Sequence, residues 1–281
     1  MEYIRLNNGI EVPAIGFGTY KMNKEDFTIQ DAYDAGYRYF DTASFYNNEA
    51  IIGNSIKEAG IKREDVMLAS KAWKTQMGYH EIKKGLEETL ENLQTDYLDM
   101  YLIHWPLPEP GFKGWKELDL ECWGAMEEMV EAGKIRAIGL SNFLPHHVQN
   151  ILDHCKIRPA VDQLQFHPGY TQEYAVNYCK ENGILVQGWK PLGRGAVLNN
   201  PVLNEIAGHY GVTTAKLCLR YQYQRGLMPL PKSNSKERMK ENLDIFGFEI
   251  SMEDIHRISS MASIGWTGEH PDHAFFSTEG F

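Results

Sequence analysis

Residues 82–104 read IKKGLEETLENLQTDYLDMYLIH. The first half repeats apolar side chains at Ile82, Leu86, Leu90 and Leu93, the three- and four-residue spacing that gathers them on one face of a helix. The second half, 98–104, is apolar almost throughout and ends on His104, as a strand covered on both faces would. An amphipathic helix leading into such a strand is a fragment of a parallel α/β architecture.

The same alternation extends in both directions. Strand-like runs fall at 14–17, 38–41, 66–70, 98–104, 135–140, 160–165, 184–188 and 227–231, bounded by Gly, Pro or Asn. Helical periodicity fills the intervals, for example Leu144, Val148, Ile151, Leu152 and Cys155, with Ser141 and Asn142 as capping candidates. Eight strand-helix units in 281 residues, with no Pro/Ser/Gly-rich linker, predict a single domain over 1–281 of the α/β class, a closed (β/α)8 TIM barrel. Asn7-Asn8-Gly9 between two short strand-like runs predicts an N-terminal β-hairpin able to plug the bottom of that barrel.

Composition narrows the function. With 43% hydrophobic and 23% charged residues the chain is neither disordered nor a disulfide-stapled miniprotein. Cys122, Cys155, Cys179 and Cys218 are widely separated and are expected to be buried thiols. No run approaches the roughly 18 apolar residues of a membrane span, and Met1 to Arg5 carry no targeting pattern, so a cytoplasmic protein whose mature chain starts at Met1 is expected, with no membrane partner. A formal charge of −10 argues against a nucleic-acid partner.

Gly16-Phe17-Gly18 lacks the third glycine and the following helix of a dinucleotide-binding turn. His146-His147 and His270-Pro271-Asp272-His273 are read as surface residues, and no metal is expected. The sharper signal lies at strand ends, where a barrel builds its active site. Asp41 closes the second strand, Tyr46 follows it, Lys71 closes the third and His104 the fourth. Each alone has an ordinary reading as cap, surface or core residue. Together they form a lysine-aspartate pair whose ammonium would pull a nearby phenol below its usual pKa of about 10. Three units of depression need about 4 kcal/mol, within reach of a charge held close in a partly desolvated site. Tyr46 is the candidate proton donor.

At these residues the chain resembles the aldo-keto reductase family. Residues 36–49 (GYRYFDTASFYNNE) look like its first signature, and 102–106 (LIHWP) like its histidine strand. Residues 138–143 (IGLSNF), Gln163 with His167-Pro168, and Pro231-Lys232-Ser233 through Arg238, Glu241 and Asn242 continue the match, so that the resemblance runs over about 6–260. The microbial diketogluconate, glyoxal and prostaglandin-F reductases are the most similar branch. The resemblance implies an NADPH-dependent carbonyl reductase with Tyr46 as general acid, Lys71 and Asp41 tuning it, and His104 orienting the carbonyl. It also implies cofactor contacts: Ser141, Asn142 and Gln163 for the carboxamide, Trp189 stacking on nicotinamide, and Leu192, Gly193 and Arg194 as a pyrophosphate strap. Lys232, Ser233 and Arg238 would clamp the 2′-phosphate, Glu241 and Asn242 would reach adenine, and Gly18, Thr19, Tyr20 and Asp41 would complete the set. Departures are Lys190, where the family commonly has serine, and Gln165, where glutamate is frequent.

Tyr20, Tyr46, Trp73, His104 and Trp105 are expected against the substrate, with Phe112, Trp115 and Trp266 as further aromatic candidates. The tail beyond Ile264, including His270, His273, Phe275 and Phe276, lies where the family's specificity loop sits. Two rival readings are an NADPH-binding regulatory subunit of the same fold and a metal-dependent barrel hydrolase. The intact strand-end set disfavours the first, and the scarcity of strand-end ligands the second. A small carbonyl compound is the expected partner and a monomer the expected state.

Overall fold

Tyr3–Arg5 (β1) and Glu11–Pro13 (β2) pair antiparallel in the computed structural model, which describes residues 2–22, 29–266, 268 and 270–273. Gly9 takes φ 87° in the connecting turn, and its N–H donates to Leu6 O at 2.9 Å. A side chain with a Cβ adopts that backbone at a cost, which is why the hairpin signal ends on glycine.

Eight strands then form one parallel sheet in chain order: Phe17–Gly18 (β3), Tyr39–Asp41 (β4), Met67–Ala72 (β5), Leu98–Ile103 (β6), Ile135–Ser141 (β7), Val161–Gln165 (β8), Leu185–Trp189 (β9) and Met228–Pro229 (β10). The sheet curls until its edges meet. Gly16 N donates to Pro229 O at 3.1 Å and Gly18 N to Pro231 O at 2.9 Å, joining the first strand to the last. Those edge strands are shorter than the sequence runs 14–17 and 227–231 because Pro229 and Pro231 have no N–H to give a ladder. Glycine at 16 serves this closure: a Cβ there would lie 2.6 to 2.9 Å from the Leu230, Tyr39 and Met228 side chains.

Helices Ile29–Ala35 (α1), Glu49–Glu58 (α2), Tyr79–Leu93 (α3), Trp115–Glu131 (α4), Pro145–Leu152 (α5), Glu173–Glu181 (α6), Pro201–His209 (α7), Thr214–Gln224 (α8), Lys236–Leu243 (α9) and Met252–Ser259 (α10) follow the strands. The Ile82, Leu86, Leu90 and Leu93 stripe of α3 is buried, each side chain contributing on the order of 1.5–3 kcal/mol. One correction concerns α5. Its N-cap is Leu144, with Pro145 at the first helical position, whereas Ser141 ends β7 and Asn142 turns at φ 63°. Both proposed caps are engaged in the barrel mouth instead.

Inside the barrel, Tyr39, Ala69, Met100, Leu102, Ala137, Val161, Met228 and Leu230 form an apolar cluster that Leu6 and Val12 of the hairpin join. Asn7 Nδ2 donates to Pro159 O, just before β8, at 2.7 Å, so the hairpin closes the amino-terminal end. Cys122, Cys179 and Cys218 are buried thiols, and Cys155 is half-buried rather than enclosed. Among the described residues no helix is long and apolar enough to cross a membrane.

Candidate active site

The carboxyl ends of β4, β5 and β8 bring three polar side chains to the barrel axis. Lys71 is wholly buried and Asp41 nearly so. Lys71 Nζ donates to Asp41 Oδ2 at 2.8 Å, to Thr42 O at 2.8 Å and to Tyr46 Oη at 3.4 Å. Three acceptors around one amine match the three N–H bonds of an ammonium. Burial pushes the Lys71 pKa down from the usual lysine range, and the Asp41 carboxylate, with Glu49 behind it, opposes that shift. Gln163 Nε2 donates to Asp41 Oδ1 at 2.9 Å, so both oxygens of the aspartate are satisfied.

Tyr46 ends a short 3₁₀ turn, Ser44–Tyr46, that Asn47 terminates at φ 53°. Ser44 Oγ anchors this turn to β5 by donating to Lys71 O at 3.0 Å. Asn48 anchors its other side, donating to Thr19 O at 2.9 Å and accepting from Thr42 Oγ1 at 2.6 Å. Buried Glu49 accepts from Ser70 Oγ at 2.5 Å. Asn48 and Glu49 lie inside the signature stretch, yet their supporting contacts are set by folding.

His104 lies directly beyond β6, its ring centroid 5.8 Å from that of Tyr46 and 5.0 Å from that of Trp73. Burial, then the Lys71 and Lys74 cations, hold its pKa well below the ordinary histidine value, so the imidazole is neutral near pH 7. Its Nδ1 is buried without a hydrogen-bond partner, and its carbonyl accepts from Asn142 Nδ2 at 3.0 Å. Asn142 Oδ1 in turn accepts from Trp189 Nε1 at 3.0 Å, which fixes the indole plane.

These groups open on a cavity of about 430 Å³. Of the residues expected at the cofactor, Gly18, Tyr20, Asp41, Ser141, Asn142, Gln163, Trp189, Leu192, Arg194 and Lys232 line it. Others lie off its wall. Thr19 is buried behind it, with Oγ1 donating to Asp41 O at 2.9 Å, and Gly193 packs under the His167 ring. Ser233 Oγ bonds locally to Ser235, Arg238 is exposed on the first turn of α9, Glu241 is half-buried and Asn242 buried.

Tyr20, Tyr46, Trp73, His104 and Trp105 all face the cavity, whereas Phe112, Trp115 and Trp266 do not line it. Trp115 instead sets its edge against His146 and His147, with centroids 5.8 and 4.7 Å away. Lys190, the departure from the family's usual serine, lines the cavity as well, as do Phe45 and Lys21, which were not assigned there. Phe45 stacks on Trp73 at 3.9 Å, a partnership between side chains 28 residues apart that no local pattern signals.

His146 is exposed, but His147 is wholly buried, contrary to its reading as a surface residue. With Asp272 these histidines bring ligand-type atoms within 4.8 Å of one another. Leu144 N donates to His147 Nδ1 at 3.1 Å, and burial depresses the ring's pKa to about 3, so the ring is neutral and its Nε2 is buried without a hydrogen-bond partner. His146 Nε2 hydrogen-bonds to Asp272 Oδ1 at 3.0 Å, which ties residues 270–273 to α5. Phe275 and Phe276 lie outside the described residues.

A parallel barrel with a lysine-aspartate-tyrosine cluster beside a neutral histidine is the arrangement of a carbonyl oxidoreductase. A sequence model of the Aldo/keto reductase family matches residues 14–263, and the chain belongs to that family. It is an NADP-dependent oxidoreductase. The glyoxal reductase of Bacillus subtilis (strain 168) is 40% identical over 276 residues, covering 97% of each chain. MGS-M4, an aldo-keto reductase from a Medee basin deep-sea metagenome library, superposes with a TM-score of 0.90 at 34% identity over 98% of this chain and all of its own. An aldo-keto reductase complexed with NADPH superposes with a TM-score of 0.87 at 29% identity, over 100% of this chain and 95% of its own.

Proposed function

We propose that the protein reduces small aldehydes and ketones to alcohols with NADPH, using Tyr46 as the general acid. The observation that carries this reading is the hydrogen bond from the Lys71 ammonium to the Tyr46 oxygen, with Asp41 holding the ammonium from behind. A cation at the phenol oxygen stabilises the tyrosinate left when the proton is given away. Bound NADPH supplies the hydride. Tyr46 then protonates the carbonyl oxygen, and neutral His104 orients it by donating from Nε2. In the reverse direction Tyr46 accepts the alcohol's proton.

The cavity's chemistry fits the cofactor. Both amide hydrogens of Gln163 are engaged by Asp41 and Gln187, at 2.9 and 3.1 Å, so its carbonyl is the group offered to a carboxamide. Trp189 gives a fixed apolar platform for the nicotinamide ring, and Arg194 and Lys232 give cations for phosphate. Arg238, Ser233, Glu241 and Asn242 extend the site past the cavity toward the 2′-phosphate and adenine. Phe45, Trp73, Tyr20 and Trp105 wall the substrate end with aromatic surface, and the similarity to a glyoxal reductase makes small dicarbonyls the first compounds to try. We read 1–281 as one catalytic domain acting as a cytoplasmic monomer, its four free thiols suiting a reducing compartment.

Following NADPH absorbance across small aldehydes and dicarbonyls tests the reading. Turnover is expected with several of them, and Tyr46→Phe should lower kcat roughly 10²–10⁴-fold while the Kd for NADPH changes less than about twofold. Tight NADPH binding without consumption of any carbonyl would favour the regulatory-subunit alternative, and undiminished turnover by Tyr46→Phe would remove the assigned acid.

A further inference from the structure

Two segments far apart in the chain meet on the buried ring of His167. Gly193, on the loop that follows β9, is so close that a Cβ there would lie 3.3 to 3.4 Å from three atoms of the ring. Gly265, beyond α10, is closer still: a Cβ there would lie 2.8 Å from the ring's Cε1 and 3.5 Å from Ala196 Cβ, which leaves no room for a side chain. Next to it, Ile264 N donates to Gly169 O at 3.1 Å and lays the tail across the residues that follow β8.

Gln165, buried at the end of β8, joins the pieces. Its Nε2 lies 3.0 Å from Gly265 O and 3.0 Å from His167 Nε2, and its carbonyl accepts from Gln172 Nε2 at 2.7 Å. A backbone carbonyl can only accept, so the side-chain amide presents its NH2 at this point, and the second hydrogen goes to the ring. His167 Nε2 therefore holds a lone pair. The ring's one proton sits on Nδ1, 3.0 Å from Pro168 O, which accepts it. Together these contacts require a neutral imidazole, and burial, with the Lys190 charge, pushes the ring's pKa below the ordinary histidine range in the same sense. A glutamate of the same length could make neither donation.

The loop held in this way is part of the cavity wall, where Leu192, Arg194 and Gly195 face inward. Gly193 N donates to Lys190 O, Gly195 N to Leu192 O and Ala196 N to Gly193 O, at 2.8, 2.7 and 3.1 Å. These local bonds set the loop's shape, and packing on His167 sets its place. We propose that Gln165 and His167 are positioning residues that fasten the 192–195 loop and the tail at Ile264 and Gly265 to the end of β8, so that the tail's docking and the loop's place on the cavity wall form one linked state. The linkage stands on the contacts alone, and its consequence for NADPH rests on the reductase reading.

Hydrogen–deuterium exchange, NADPH titration, steady-state kinetics and 15N spectra of the histidine rings, on the full-length wild type, Gln165→Met and Gln165→Glu, test it. Gln165→Met keeps the side chain's length and loses both N–H groups. The amides of residues 193–196 and 264–266 should then exchange together, roughly tenfold faster, while those of the β1–β2 hairpin exchange as in wild type, which shows the variant folded. Its Kd for NADPH should rise roughly three- to tenfold with kcat within about twofold, because Asp41, Tyr46, Lys71 and His104 keep their partners. In the wild type the His167 ring, identified by its loss in His167→Gln, should carry its one proton on Nδ1 between about pH 6 and 8, whereas beside the carboxylate of Gln165→Glu it should carry two at about pH 7. Faster exchange of the tail with an unaltered loop overturns the proposal, as does an unaltered Kd for NADPH in Gln165→Met or a wild-type His167 proton on Nε2. A wild type that neither binds NADPH nor consumes a carbonyl, with both segments still exchanging together in Gln165→Met, sinks the reductase reading and leaves the linkage standing.

Discussion

The two ends of the barrel are built on the same strands and obey opposite rules. At the amino end Tyr39, Ala69 and Val161 face inward with Leu6 and Val12 packed beneath them, and the interior is apolar. Two residues further along those strands, on the same face, stand Asp41, Lys71 and Gln163, and the interior is ionic. A period of two thus sets a packing layer and a chemical layer about one pleat apart. The bottom layer gains stability by excluding water. The top layer survives burial because each charge has its partners in place, and it gains reactivity from the same burial.

Mutations at the two ends should therefore separate stability from turnover. The largest stability loss is expected from Asp41→Asn, which strands the buried Lys71 ammonium and should cost about 3–5 kcal/mol in chemical denaturation, together with most of kcat. Lys71→Met leaves the Asp41 carboxylate buried without its cation and should cost a comparable amount of stability for a similar loss of turnover. If either variant unfolds at the wild-type denaturant concentration, the buried pair is not the ionic layer described here.

Leu6→Ala at the opposite end should lose about 2–4 kcal/mol and leave kcat/KM of the folded enzyme within about twofold of wild type. A marked change in kcat/KM would mean that the layers are mechanically coupled. At the rim, replacing both Lys232 and Arg238 with methionine should raise KM for NADPH about tenfold or more with little effect on NADH, measured in parallel steady-state assays. Equal effects on the two cofactors would dissolve the phosphate clamp.

The smallest effect concerns pH. The folded-state pKa of His104 is depressed below its unfolded value near 6.5, so the unfolded chain takes up a proton that the folded chain refuses. Its contribution to stability is full above pH 6.5 and is lost as pH falls, at no more than about 1.4 kcal/mol per unit. His104→Gln should destabilise less than wild type between pH 6.5 and 5.5 in urea titrations. The slope is reduced rather than abolished, because His147 and His167 are depressed by burial in the same sense. An unchanged slope would place the His104 ring in solvent.

Much of this was legible in the chain itself. Hydrophobic period and punctuation are local properties, so the α3 stripe, the hairpin at Gly9 and the eight-strand count could be read directly, and so could the strand-end positions of Asp41, Lys71 and His104. Strand ends were less legible where proline intervened, since Pro229 and Pro231 shorten a ladder without altering its apolar pattern. Ser141 and Asn142 resembled helix caps because the same short polar side chains serve caps and barrel mouths alike. His147 resembled a surface residue because Trp115 and Asp272, which cover it, approach it only in space.

By itself the sequence determined the order and type of the elements and which residues carry chemistry, since these follow from neighbours a few positions apart. The tertiary structure alone decided that Lys71 has three acceptors, that Phe45 stacks on Trp73, and that Lys190 shares a wall with Lys232. The reason is physical: side-chain burial and charge pairing depend on distances between segments that the chain's local geometry leaves free until the barrel closes.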